Sequence, residues 1–97
     1  MSDSTTHESC VVTMRHTTLL VDYDPNLLRS LKRALRREPF EVMTAPGAIE
    51  GLEMLDEHEI HVVISDEMMP GMRGTDFIVE VHRRHPDTVR MLLTGNA

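Results

Sequence analysis

The sequence predicts an α/β fold of three layers, a parallel sheet with helices on both faces, and three observations carry that prediction. Two short apolar runs, Leu19-Leu20-Val21 and Val62-Val63-Ile64, lead into carboxylates, at once into Asp22 and through Ser65 into Asp66. Stretches of helical periodicity alternate with the apolar runs. Pro and Gly fall between the segments, where the chain must turn. Strands alternating with helices of this length imply right-handed βαβ units.

The elements follow in order. Thr18 to Asp22 reads as the first strand. Asp24 then caps a helix whose first turn holds Pro25 and whose apolar stripe is Leu28, Leu31 and Leu35, with Pro39 as its stop. Phe40 to Thr44 alternates as a second strand, and Ala48 to Glu57 is a second helix with Ile49, Leu52 and Leu55 inward. The third strand ends at Asp66, where Pro70, Gly71 and Gly74 break the chain into a turn. A third helix starts near Thr75, with Phe77, Ile78 and Val81 inward, and ends before Pro86. Val89 to Leu93 is the fourth strand, followed by Thr94-Gly95-Asn96-Ala97.

Composition narrows the function classes. The 97 residues hold one domain. Residues 1–16 are polar and aperiodic, so they read as a flexible tail, which leaves about 80 residues, 17–97, for a fold of modest surface burial. A net charge of −6 argues against direct nucleic-acid binding. No run reaches membrane-spanning length and no signal-peptide pattern is present. The single Cys10 allows no internal disulfide, in keeping with a cytoplasmic location. Arg29, Lys32, Arg33, Arg36 and Arg37 gather in and just after the first helix as a solvated basic face. His58 with His61, and His82 with His85, have the spacing of metal pairs, but no Cys or further clustered ligand supports zinc.

Chemistry concentrates at the strand ends. In open α/β sheets ligands bind just beyond the carboxyl ends of the strands. Asp66 stands there, and Asp22-Tyr23-Asp24 stands at the end of the first strand. Two acid sites so placed suggest a divalent cation and a phosphate.

From Thr17 to Ala97 the chain resembles the receiver domain of two-component response regulators. Four features carry the resemblance in the family's order and spacing: Leu-Leu-Val-Asp22-Tyr-Asp24-Pro, the Asp66 strand end, the Met69-Pro70-Gly71…Gly74 turn, and Thr94-Gly95. The resemblance implies a flavodoxin-like strand order, 2-1-3-4-5, of which this chain would hold four strands and three helices. It implies that Asp66 is the phosphoacceptor, attacking a phosphohistidine on a sensor histidine kinase or phosphotransfer protein. It implies Mg²⁺ held by Asp22 through water, by Asp66, and by the main-chain carbonyl of Met68. The Thr94 hydroxyl would contact a phosphate oxygen and signal the modified state to an output domain or dimer partner.

Two departures from the family pattern shape the expectation. Tyr23 replaces the second acid, and a neutral phenol is a poor Mg²⁺ ligand, so weakened metal binding is expected. No Lys follows Asp66, so the family's phosphate-binding Lys has no counterpart, and the family's last helix-strand-helix elements are absent from the 97 residues. One sheet face would then be covered by the first helix alone, and the fourth strand would form an open edge. Both departures sustain an alternative, a non-phosphorylated pseudo-receiver acting as a protein interaction module. A third reading, a haloacid-dehalogenase-type phosphatase with Asp22 as nucleophile, is disfavoured because Pro25 and Asn26 stand where that motif wants a small residue and Thr.

Overall fold

A computed structural model describes residues 16–93. Four parallel strands, β1 (His16–Val21), β2 (Phe40–Ala45), β3 (Val62–Asp66) and β4 (Val89–Leu93), form one sheet in the order β2-β1-β3-β4. Three helices connect them: α1 (Pro25–Ala34), α2 (Ala48–Glu57) and α3 (Gly74–Arg84). The reversal of strand order beside β1 leaves a crevice at the carboxyl ends of β1 and β3, where such sheets bind ligands.

Register determines which side chains form each layer. One face carries Leu19 beside Val63, and Val21 beside Ser65; the other carries Leu20, Ile64 and Met91 in one row. The first face holds the main core. Leu19, Val21, Ala45 and Val63 pack there with Leu52, Leu55, Phe77 and Val81 of α2 and α3, all buried. Phe77 fits because Gly51 lacks a side chain; a Cβ there would lie 3.1 Å from the ring. The second face is thinner: α1 buries Leu28, while Val89, Met91 and Leu93 of β4 are about half exposed. Among the described residues β4 is an outer strand with apolar side chains facing outward.

Several boundaries differ from expectation, each for a local reason. β1 begins at His16, a residue assigned to the tail, because the strand pairs in register from His16 with Phe40. The His61 Nδ1 also accepts the Thr17 N–H at 3.0 Å, fastening this end of the strand. α1 stops at Ala34, well before Pro39, where its last turn closes with the Leu35 N–H donating to Leu31 O at 3.0 Å. Ile49 points outward at 67% exposure, because α2 turns Ala48, Gly51, Leu52 and Leu55 to the core. That i, i+3, i+4, i+7 set defines the buried stripe.

At the far end of the sheet, an acid-base network ties α2 to α3. Asp56 accepts from Arg84 at 3.0 Å and contacts His85 Nε2 at 2.8 Å, while Glu80 receives both Arg83 and Arg84. Hydrogen bonds from Arg83 and then Arg84 pull the Glu80 carboxyl from 4.5 down to about 2. A depressed carboxylate favours the folded state above its ordinary range, and that contribution is lost as pH falls through the folded value. A carboxylate NMR titration should therefore place Glu80 near 2 in the folded chain, and Arg83→Ala should move it toward 4.5. An unmoved midpoint in the variant would contradict the pairing.

Candidate functional site

The site is built from the two loops that follow β1 and β3. The register pairs Val21 with Ser65, so Asp22 and Asp66 are each one residue past a matched pair on adjacent strands. Adjacent strands lie about 4.8 Å apart, which sets the two acids side by side at the rim of the sheet. Asp22 remains tied to the ladder, its N–H donating to Ala45 O at 3.2 Å. Asp66 is half-buried, and behind it the buried Ser65 hydroxyl donates to the Asp66 carbonyl at 2.9 Å.

The β1–α1 loop assigns its oxygens closely. Asp22 Oδ1 accepts the Asp24 N–H at 2.9 Å, a local turn that leaves its other carboxylate oxygen for a ligand. Asp24 Oδ1 accepts the N–H groups of Asn26 and Leu27 at 3.0 and 3.4 Å and so caps α1. The expected cap is present, and this oxygen is committed to it. Tyr23, between the two acids, is 58% exposed.

The β3–α3 loop is held by a residue that the sequence motifs did not single out. Glu67 accepts the Thr75 N–H at 2.8 Å and the Thr75 hydroxyl at 2.7 Å, and pairs with Arg73 at 3.0 Å. Its own carbonyl accepts the Gly74 N–H at 3.0 Å. Glu67 thus closes the loop from both ends and caps α3, whose own N-cap residue Arg73 supplies no side-chain bond. The Thr75 hydroxyl bond first, then the Thr75 N–H and Arg73, hold the Glu67 carboxyl below its ordinary range. Gly71 takes the turn with φ +85°, a left-handed conformation that glycine adopts at no steric cost. Met69 is buried under the loop and Met68 is 71% exposed. Thr94 lies outside the described residues.

The donor set can be tested against a divalent cation. Two carboxylates, Asp22 and Asp66, and the Met68 carbonyl are hard oxygen donors of the kind Mg²⁺ takes, and Mg²⁺ commonly binds through one or two carboxylates with water and phosphate completing its shell. Among the described residues no three His, Cys, Asp or Glu side chains are grouped to hold a metal. The oxygen chemistry of these donors suits a divalent cation whose shell water and phosphate would complete.

A parallel α/β domain with acids at the ends of two neighbouring central strands defines the class, and comparison with known proteins identifies it. The chain belongs to the response regulator receiver domain family, whose model matches residues 18–97. It is 35% identical over 79 residues to the hydrogenase transcriptional regulatory protein HoxA of Cupriavidus necator, covering 81% of this chain and 16% of that protein. It superposes with a TM-score of 0.81 on the signal receiver domain of an HD domain-containing protein from Pseudomonas fluorescens, at 34% identity, covering 84% of this chain and 66% of the other. The response regulator TrrA of Thermotoga maritima, solved in complex with Mg²⁺ and BeF, is similar at 32% identity and a TM-score of 0.79, over 84% of this chain and 71% of that one. The chain thus spans about a sixth of that curated relative. The flavodoxin-like fold is as expected, and no helix among the described residues is long and apolar enough to cross a membrane.

Proposed function

We propose that this receiver domain takes a phosphoryl group onto Asp66 from a phosphohistidine of a sensor histidine kinase or phosphotransfer protein, with Mg²⁺ bound by Asp22, Asp66 and the Met68 carbonyl. The observation that carries the reading is the register of β1 and β3, which puts Asp22 and Asp66 each one residue past the matched pair Val21–Ser65. A carboxylate attacking a phosphoryl group is an anion approaching an anion, and a bound Mg²⁺ would neutralise that charge. Asp66 supplies the nucleophilic oxygen, and Ser65 and the closed Glu67–Gly74 loop hold its backbone in place. The likeness to a receiver solved with Mg²⁺ and BeF supports the metal assignment.

The Thr94 hydroxyl is assigned to the phosphate oxygens, and its movement passes the change to an output domain or dimer partner. The domain serves as a substrate of phosphotransfer that helps its own phosphorylation and dephosphorylation, in the cytoplasm. Residues 16–97, with His16 opening β1, form the receiver unit, and residues 1–15 its polar tail. Incubation with a small-molecule phosphodonor and Mg²⁺ should add one phosphoryl mass to the wild-type chain and none to Asp66→Asn. Equal labelling of both would remove Asp66 from the reaction.

One observation favours a second reading. With Tyr23 in place of an acid and Asp24 committed to the helix cap, the chain offers fewer metal ligands than the family pattern. A folded chain that takes no label would be a pseudo-receiver, keeping the fold as an interaction module.

A further inference from the structure

A groove of about 500 Å³ opens between the two site loops, lined by Tyr23, Glu67, Met68, Met69, Pro70 and Arg73. It begins at the residue after each acid, since Tyr23 follows Asp22 and Glu67 follows Asp66. Its two charged side chains form a pair, Arg73 with Glu67 at 3.0 Å, and Thr75 also holds Glu67. Beside that pair the phenol ring of Tyr23 and the thioether of Met68 stand open, 58% and 71% exposed. A ring and a thioether beside a nucleophilic carboxylate suit a flat, partly apolar, cationic group. A phosphorylated imidazole, protonated at its second nitrogen, is such a group, and the groove is large enough for the side chain that carries it.

From this we infer that Tyr23 is a donor-specificity residue, forming the wall on which the donor's imidazole lies while its phosphoryl group meets Asp66. The inference rests on the phosphoacceptor reading of Asp66 and gives the tyrosine a role in place of the one an acid would have had. In the step, a lone pair of Asp66 forms the O–P bond as the P–N bond breaks. The P–N electron pair stays on the leaving nitrogen, and the ring, already protonated at its other nitrogen, departs neutral. An aliphatic acyl phosphate such as acetyl phosphate offers Tyr23 no ring to hold.

The test compares initial labelling rates with phosphoimidazole and with acetyl phosphate, both with Mg²⁺. Tyr23→Ala should lower the ratio of the two rates about tenfold, the size of a well-formed cation–π contact, and Tyr23→Phe should keep it within about twofold. An unchanged ratio in Tyr23→Ala would overturn the assignment. Failure of both donors to label the folded wild-type chain would overturn the phosphoacceptor reading, and this inference with it. A second readout needs no chemistry. Tyr23 is the only tyrosine and there is no tryptophan, so intrinsic fluorescence reports this ring alone. Titrating Asp66→Asn with phosphoimidazole should change that fluorescence saturably; a flat titration would overturn the role of Tyr23 even where labelling proceeds.

Discussion

Gly74→Ala is expected to destabilise the domain by about 3 kcal/mol, from overpacking and lost backbone bonds, and to displace the loop that positions Asp66. A Cβ at residue 74 would collide with the Asp66 carbonyl oxygen and stand 2.8 Å from both Glu67 Cα and Leu92 Cδ1. Two of those three neighbours are backbone atoms of the site itself, so relief comes only by moving the end of β3 or the start of α3. Either movement weakens the Gly74 N–H bond to Glu67 O and the Glu67 bonds to Thr75. Helix propensity alone predicts the opposite sign, since alanine is favoured over glycine by about 1 kcal/mol within a helix. Sterics outweigh it here. Urea unfolding reads the difference: a midpoint at or above that of the wild type would show that the loop tolerates a side chain at this position.

Tyr23→Asp should tighten Mg²⁺ binding by about tenfold, because a carboxylate gives a hard anionic ligand where the phenol gives a weak neutral one. Asp22 already counts as one ligand through its second oxygen, and the helix cap draws Asp24 away. Asp24 caps α1 with the oxygen that accepts from Asn26 and Leu27, and Asp22 uses one oxygen for the Asp24 N–H. A third carboxylate near Asp22 and Asp66 also raises mutual repulsion without metal, so the variant should gain more stability from added Mg²⁺ than the wild type does. Isothermal titration and melting with and without Mg²⁺ measure both effects. Unchanged metal affinity would sink this account of Tyr23. The variant should also lose the preference for an imidazole donor, as Tyr23→Ala does, whereas only the aspartate should gain metal affinity, and that contrast separates the two roles of position 23.

Local signals made much of this molecule legible. The run Val62-Val63-Ile64 before Asp66, the Asp24-Pro25 helix start, and the spans of α2 and β4 were readable because strand period, cap chemistry and Pro/Gly punctuation act over a few residues. The strand order came through family resemblance, since no local rule places β1 between β2 and β3. Ile49 was misplaced because i, i+3 spacing fits more than one face, and only packing against Val21 and Phe77 selects the face carrying Gly51. The start of β1 at His16 depends on pairing with Phe40 and on a ring from His61, both far along the chain.

At the site, the candidate acids were legible as strand ends, whereas Glu67 was not. Its partners Arg73 and Thr75 are six and eight residues away, and they meet only once Gly71 and Gly74 fold the loop back. Asp-Glu followed by Met-Met-Pro reads as turn chemistry, with nothing in the spacing to reveal a carboxylate reaching across to cap the next helix. The groove beside Tyr23 is hidden for the same reason, since it joins residue 23 to residues 67–73 through tertiary structure alone.

Mapping the modified residue shows whether Asp66 carries the phosphoryl group. After incubation with phosphodonor and Mg²⁺, borohydride reduction converts an aspartyl phosphate to homoserine, which peptide mass spectrometry locates. Homoserine is expected at Asp66 and at no other acid. Homoserine at Asp22, or none in a folded and fully incubated chain, would contradict it.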